Sequence, residues 1–363
     1  MNVLIDINHP GHVHLFLHFY YLLKEKKNNI YVTVKNITSA IHLLDIYKIP
    51  YIFLGRKSDS LCGKALNQFF YDYKIFELFN KLKIHYAFGS SITVDHASFL
   101  SKTISFHLSD DDPKVVPLVI KYAHPFANHI LCPDVLDFPK HRKKTIKYPG
   151  YHELAYLHPH RFQPDKKVLE EAGIKEEENY FILRFNSFKA HHDIGVKGLS
   201  LENKRKLISM LKPHGKIFIT SERELETEFE EYRITIEPHK IHSFLYYATM
   251  FIGDSQTMTS EAAVLGVPSL RCNSFAGRIS YLEEQEKKYG LTYAFLPENF
   301  DLLLDKLKEL LKMPYLREEW QKRRQKMLAD KIDVTAFLVW FIENYPQSRE
   351  MVEDTEEFWG RFR

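Results

Sequence analysis

The chain has 363 residues, 45% of them hydrophobic and 27% charged, which excludes a disordered protein and suits two soluble globular domains. The 50 lysines and arginines against 47 aspartates and glutamates give a net charge of +3 with mixed signs, so no nucleic-acid-binding surface is indicated. Glycine is scarce, at 14 residues, so each glycine at a strand-to-helix junction is informative.

Strands and helices alternate in the first part of the chain. The predicted strands are Val3–Ile7, Tyr31–Lys35, Tyr51–Leu54, Tyr86–Gly89, Thr103–His107 and Ile130–Pro133, with helices at His14–Lys26, Ile41–Tyr47 and Leu66–Leu82 among them. Mostly apolar strands that alternate with helices indicate a parallel sheet covered on both faces.

Proline, glycine and basic residues interrupt this pattern between Phe138 and Pro164, and a second alternating series follows. Its predicted strands are Tyr180–Phe185, Lys216–Thr220, Ile234–Ile236, Met250–Gly253, Pro268–Cys272 and Tyr293–Leu296, and a helical pattern from Leu316 to Tyr345 closes it. The predicted fold is α/β, with two Rossmann-like domains whose parallel sheets face a central cleft. We place the domains at 1–147 and 148–345, followed by a tail at 346–363.

The three cysteines are far apart, and they predict neither a disulfide framework nor a zinc knuckle. No uncharged run reaches the roughly 18 residues of a membrane-spanning helix. We expect a cytoplasmic protein. The basic run His141–Lys144 is either a solvated connection or a patch for anionic substrate or lipid head groups, which leaves peripheral membrane association open.

The segment Phe251–Leu270 reads as a strand, small hydroxylated residues and a helix beginning near Met258. A helix N-terminus presents unpaired N–H groups and a partial positive charge, which suit a phosphate. Glu261 is placed to accept hydrogen bonds from a ribose diol. Alternatively, Asp254 or Ser255 only caps the helix. The residues expected to bind the donor here are Asp254, Ser255, Gln256, Thr257, Met258, Thr259 and Glu261.

This segment resembles the nucleotide-diphosphate-sugar motif of GT-B-fold proteins, especially the non-hydrolysing UDP-N-acetylglucosamine 2-epimerases. In those enzymes an Asp-Ser-Gly-Gly loop precedes a glutamate; Ser255 and Glu261 keep that spacing, while Gln256 and Thr257 replace the two glycines. The motifs at 3–16 (VLIDINHPGHVHLF), 148–157 (YPGYHELAYL) and 253–268 (GDSQTMTSEAAVLGVP) resemble a domain family of unknown function, number three-fifty-four, in the same superfamily. The resemblance implies a GT-B fold and a nucleotide-diphosphate sugar, most simply UDP-linked, as substrate rather than cofactor.

Two loops of the first half carry candidate catalytic residues. In the loop after the first strand, Gly11 permits close backbone approach, and His12 and His14 are candidates for acid–base catalysis, with a metal site or a capping or core role as alternatives. After Thr103–His107, Asp110 and Asp111 are candidates for a catalytic base. The alternatives are a helix cap before Pro113 or a manganese site that includes Asp112. We predict no metal.

The resemblance also assigns residues of the second half to the donor. In GT-B proteins the loop after the first strand of this half often offers a basic side chain to the diphosphate, here Arg184 or Lys189, and His191 is a candidate for sugar contacts. Glu222 and His242 lie where the uridine or another base is usually bound.

The 2-epimerases carry an acid in the loop after the fourth strand, whereas this chain has Phe88-Gly89-Ser90-Ser91 there. Sugar transfer needs only a stabilised diphosphate leaving group and one base. We therefore predict a metal-independent GT-B-type glycosyltransferase for surface polysaccharide or glycolipid assembly, with a sugar or lipid-linked acceptor. The alternatives are a sugar-nucleotide epimerase or hydrolase and a non-catalytic sugar-nucleotide-binding protein.

Overall fold

The computed structural model describes residues 1–55, 61–175, 178–185, 198–221 and 224–363, without the side chains of 61–66. The chain forms two compact units, Met1–Arg161 with Lys331–Arg363 and Phe162–Asp330. This division differs from the sequence-derived boundaries, because residues 148–161 and 331–345 pack with the first unit rather than the second. The chain therefore enters the second unit once and returns to the first.

Seven parallel strands form the sheet that the structure describes in the first unit. They are β1 (Asn2–Ile7), β2 (Asn29–Lys35), β3 (Ile52–Gly55), β4 (Tyr86–Gly89), β5 (Ile104–Leu108), β6 (His129–Pro133) and β7 (Thr145–Tyr148). Their order is β3-β2-β1-β4-β5-β6-β7, so the strand order reverses between β1 and β4. Ligands of such sheets bind beyond the carboxyl ends of the strands at this reversal.

Helices cover this sheet: α1 (Pro10–Glu25), α2 (Thr38–Ile46), α3 (Leu61–Lys81), α4 (Ile92–Phe99), α5 (Pro117–Tyr122) and α6 (Leu154–Leu157). Helix α1 begins at Pro10, earlier than predicted, because Pro suits the first helical position and the His9 side chain accepts the Gly11 N–H. Its apolar face is buried, with Phe16, Phe19 and Leu23 spaced at helical intervals.

The C-terminal residues pack onto the first unit as α14 (Val334–Glu343), α15 (Ser348–Met351) and α16 (Glu356–Trp359). The single helix predicted over 316–345 is two helices, because Asp333 ends the intervening turn by accepting the Ala336 N–H and capping α14. The predicted tail is likewise ordered structure: Phe358, Trp359 and Phe362 are buried, and Trp359 and Phe362 contact the ring of Phe337.

The second unit has a five-stranded parallel sheet in the order β12-β11-β10-β8-β9. The strands are β8 (Tyr180–Phe185), β9 (Lys216–Ser221), β10 (Met250–Gly253), β11 (Ser269–Cys272) and β12 (Thr292–Phe295). The helices are α7 (Lys167–Glu171), α8 (Leu201–Leu211), α9 (Ile241–Tyr247), α10 (Gln256–Leu265), α11 (Ser280–Lys287), α12 (Phe300–Leu311) and α13 (Leu316–Asp330). The order reverses between β8 and β10, and α10 begins directly beyond that point.

The predicted strand at Ile234–Ile236 is wrong: the chain there makes only an isolated bridge between Arg233 and Ile219. Its apolar residues are the usual residues of a strand, but no ladder continues beyond the bridge. Across the part of the chain that the structure describes, every helix is too short or too polar to cross a membrane.

Candidate functional site

The first turn of α10 lies at the carboxyl edge of the second sheet and is held by a serine cap. The Ser255 Oγ accepts the Met258 N–H at 3.3 Å, so the helix begins at Gln256 rather than near Met258 as predicted. Gln256, Thr257 and Met258 are half-buried. The backbone N–H groups at such a helix start suit an anion.

Two further contacts fix this turn against the sheet. Asp254 is buried, and its carbonyl accepts a hydrogen bond from the Asn273 side chain at 2.8 Å. A Cβ on Gly253 would lie 2.5 Å from the Arg184 carbonyl, so this position requires glycine for close strand packing. The Thr259 hydroxyl, predicted to face the ligand, instead is buried and donates to the Ser255 carbonyl at 2.6 Å.

Glu261 and His242 form a buried pair beside this turn. The His242 Nε2 lies 3.0 Å from the Glu261 Oε1, and each side chain is 7% exposed. Because α10 begins at Gln256, Glu261 lies in its second turn. His242 and Glu261 were both expected to bind the donor, although they come from separate segments of the sequence. Their hydrogen bond orients the Glu261 carboxylate.

The structure places the remaining donor candidates as follows. The Arg184 Nη1 donates to the Thr220 hydroxyl at 2.9 Å, which holds the guanidinium at the carboxyl ends of β8 and β9. Lys189, His191 and Glu222 lie outside the described residues. Their proposed roles remain predictions.

In the first unit, His12 lies in the first turn of α1. Burial and the neighbouring His9 lower its pKa to about 3, although Asp110 acts in the opposite direction, so the imidazole is neutral near pH 7. The His12 Nδ1 is buried, and none of the described residues gives it a hydrogen-bond partner. Gly11 lies inside α1 rather than in a loop, and its N–H is bonded to the His9 Nδ1 at 3.1 Å.

Asp110 and Asp111, which follow β5, have opposite ionisation behaviour. The His152 Nδ1 lies 3.1 Å from the Asp110 Oδ2. Burial alone would raise the pKa of Asp110, but the charge of His152 and its hydrogen bond outweigh burial and lower that pKa. Burial and the negative charge of Asp110 raise the pKa of Asp111 to about 7. Two carboxyls with separated pKa values are suited to act as proton acceptor and proton donor.

His14 is buried on α1 against Tyr156 and Tyr47, with ring centroids 5.6 Å and 6.1 Å away. Residues two apart on a helix lie on different faces, so His12 and His14 project in different directions. His14 thus packs against two aromatic rings, and its predicted role in acid–base catalysis stays a prediction.

Sequence reasoning missed His152 and Asn273 as site residues. His152 lies in the motif YPGYHELAYL, where the residues served only as a family signature. A single asparagine directly after a short β-strand, here Ser269–Cys272, gives no distinguishing pattern. Their roles depend on contacts between segments that are distant in the chain.

Two other features of the described residues fall outside these clusters. His158, His160 and Asp333 bring ligand-type atoms within 4.8 Å of one another, but the Asp333 carboxylate is bonded to the Arg161 Nε at 2.7 Å. A cavity of about 560 Å³, lined by Tyr180, Thr249 and Arg317 among others, opens at the amino ends of the second unit's strands, the opposite edge from α10's first turn.

Known structures share this architecture at low sequence identity. The UDP-GlcNAc 2-epimerase from Neisseria meningitidis bound to UDP-GlcNAc matches with a TM-score of 0.65 and 11% identity over 95% of this chain and 100% of that one. The spinosyn forosaminyltransferase SpnP matches with a TM-score of 0.63 and 12% identity over the same shares, 95% and 100%. An uncharacterised protein of Methanocaldococcus jannaschii is 22% identical over 307 residues, 79% of this chain and 86% of its own length.

The protein thus has the α/β GT-B fold, as the sequence predicted. The chain belongs to the family described as "Protein of unknown function (DUF354)", whose model matches residues 1–294. The predicted family is thereby confirmed.

Proposed function

We propose that the protein is a glycosyltransferase that moves a sugar from a nucleotide-diphosphate donor, UDP-linked by preference, to a hydroxyl of a sugar or lipid-linked acceptor in surface polysaccharide or glycolipid assembly. The observation that carries this proposal is the buried Glu261–His242 pair beside the Ser255-capped start of α10. A carboxylate accepts about four hydrogen bonds, which suits the Glu261 side chain to a ribose diol. The N–H groups of Gln256 and Thr257 suit the diphosphate.

In this proposal the Asp111 carboxylate is the base. It takes the acceptor hydroxyl proton, the acceptor oxygen bonds to the anomeric carbon, and the bond from that carbon to the diphosphate oxygen breaks, so that UDP leaves with the electron pair. The pKa of Asp111, about 7, suits a base that works near neutrality, whereas His12, with a pKa of about 3, is a weaker one. The charges of Asp110 and His152 tune the pKa of Asp111, Asp110 raising it and His152 lowering it.

The pair of aspartates also favours a second candidate, sugar-nucleotide epimerisation. Elimination and re-addition at a sugar carbon need one group to take a proton and another to give one, and Asp110 and Asp111 differ in ionisation. Solvent deuterium at the sugar C2 distinguishes epimerisation from transfer.

Peripheral contact with the cytoplasmic face of a membrane is a further part of the proposal. Exposed apolar side chains support it, with Phe69 75%, Tyr73 60% and Leu118 60% exposed on α3 and α5. The basic run supports it less, because Arg142 is paired with Asp137 and Lys144 donates to two backbone carbonyls. Cosedimentation with anionic vesicles, weakened in a Phe69→Ser/Tyr73→Ser variant, tests this part.

The enzymatic proposal is tested by incubating the protein with a panel of UDP-sugars, with and without a polyprenyl-diphosphate-linked monosaccharide in detergent. We expect UDP release that depends on the acceptor and is lost in Glu261→Ala, while Glu309→Ala, an exposed glutamate of the same unit, matches wild type. Equal UDP release without acceptor, or an epimerised sugar, would overturn transfer.

A further inference from the structure

Arg271 lies beside the start of α10, although no motif includes it. Within the parallel pair β10–β11, Arg271 is the register partner of Gly253, which immediately precedes Asp254 and Ser255. Neighbouring strands are about 4.8 Å apart. The Arg271 backbone therefore lies about 5 Å from the last residue of β10.

The Arg271 side chain lies on the face of the sheet that α10 covers. The Ser269 hydroxyl on β11 donates to the Thr259 carbonyl on α10 at 3.4 Å, which shows which face Ser269 occupies. Residues two apart on a strand share a face, so Arg271 occupies the same one. Because α10 runs back along the sheet, Arg271 lies nearer than Ser269 to the first turn of the helix.

The Arg271 guanidinium is buried, and no carboxylate of the described residues forms an ion pair with it. Arg271 is 1% exposed, and neither Nε nor Nη1 has a hydrogen-bond partner anywhere in the described ranges. The nearby acids of α11 bond elsewhere: Glu283 pairs with Lys287 at 2.6 Å, and Glu286 accepts the Ala294 N–H at 3.1 Å. A guanidinium keeps its charge even in such surroundings.

An unpaired buried charge destabilises a fold unless something compensates it. Glu286 is a poor compensating group, because burial and the neighbouring Glu283 raise its pKa to about 7, leaving it only partly ionised near neutrality. The field of a buried charge is weakly screened, so it acts on an anion beyond hydrogen-bond distance. The first turn of α10 is where the proposed donor brings such an anion.

We propose that Arg271 supplies the buried positive charge that makes the donor site select a diphosphate over a monophosphate or a bare nucleoside. This inference rests on the proposed donor site and adds its phosphate specificity. Arg271 acts as a positioning residue: its charge, together with the α10 N-terminus, holds the diphosphate, and the protein gains a counter-ion for a guanidinium that lacks one.

Calorimetric titration of the full chain with UDP, UMP and uridine tests this. In Arg271→Gln we expect UDP affinity to fall about 10–100-fold, UMP affinity to fall less and uridine affinity to stay unchanged. Arg271→Lys, which keeps the charge, should stay within about threefold of wild type for UDP. The matched control is Arg324→Gln, which removes another buried guanidinium, one bonded to the Val264 carbonyl near the opposite end of α10. It should leave the UDP-to-uridine ratio unchanged.

A melting curve without ligand separates this role from a structural one. Removal of an uncompensated buried charge should leave the Tm of Arg271→Gln unchanged or higher, whereas loss of a structural contact would lower it. If Arg271→Gln binds UDP as wild type does, or if UDP and uridine affinities fall together, the inference is overturned while the donor site stands. If wild type binds none of the three compounds, the proposed function fails as well.

Discussion

The His152 Nδ1 lies 3.1 Å from the Asp110 Oδ2, and this contact connects the loop after β5 with the chain that follows β7. His152 lowers the pKa of both aspartates, whereas burial and the negative charge of Asp110 raise the pKa of Asp111 to about 7. Two adjacent aspartates of identical chemistry thereby acquire different protonation states.

The first prediction concerns the pH dependence of turnover. Activity should decline as pH falls through about 7, where Asp111 becomes protonated and can no longer accept a proton. His152 lowers the pKa of both aspartates, so in His152→Gln the acidic limb of the pH–rate profile should move to higher pH. The control is His160→Gln, an exposed histidine of the same unit. An unchanged limb in His152→Gln would contradict the assignment.

The second prediction concerns the ribose. If the Glu261 carboxylate binds the diol, 2′-deoxy-UDP should bind wild type more weakly than UDP, and Glu261→Ala should bind both alike. The loss should be about 10–100-fold, as expected for a hydrogen bond to a charged acceptor. His242→Gln should give an intermediate loss, because His242 orients the carboxylate. Discrimination against the deoxy compound that survives in Glu261→Ala would exclude this role.

The third prediction concerns Gly253. An added Cβ would lie 2.5 Å from the Arg184 carbonyl, so Gly253→Ala must separate β10 from β8. We expect the free energy of unfolding to fall by about 1–3 kcal/mol, measured by urea denaturation. Gly360→Ala is the control, because nothing lies within 4 Å of its added Cβ. Equal stability of the two variants would show that the strands adjust freely.

The fourth prediction concerns His124, which is fully buried. Neither ring nitrogen has a hydrogen-bond partner in the described part of the chain, and burial, with His107 and His141, lowers its pKa to about 3. In the unfolded chain this histidine binds a proton below about pH 6.5. It therefore lowers the free energy of unfolding as pH falls from about 6.5 toward 3.

His124→Phe should therefore be more stable than wild type, by about 1–2 kcal/mol near pH 7 and by more at pH 5. Denaturant titrations at both pH values measure this, with His42→Phe, an exposed histidine of the same unit, as control. A stability difference that does not grow on acidification would mean that another group takes up the proton.

The fold could be predicted from local sequence patterns, because the strands are short and apolar and are separated by segments with helical periodicity. All of β1 to β12 fall at predicted strands except β7, which lies in the stretch between Phe138 and Pro164 where proline, glycine and basic residues interrupt the strand pattern. The domain boundaries could not be predicted from the sequence, because they depend on which unit α6 and α14 pack against. In the structure α6 packs with both α1 and α14. A contact between distant segments leaves no local pattern.

The candidate donor residues could be named from two separate segments of the chain, Ser255 and Glu261 from one and His242 from the other. The hydrogen bond between His242 and Glu261 could be seen only in the structure. Thr259 was misassigned because a hydroxyl one turn into a helix bonds backward to a carbonyl. Arg271 could not be predicted as a buried residue, because an arginine in an otherwise apolar strand usually indicates an exposed position at the edge of a sheet.

Binding of the donor diphosphate at the start of α10 is best tested by a crystal structure of the full chain with UDP. We expect diphosphate oxygens within hydrogen-bond distance of the Gln256 and Thr257 N–H groups, with the ribose at Glu261. UDP bound instead in the cavity lined by Tyr180 and Arg317, with the start of α10 vacant, would contradict it.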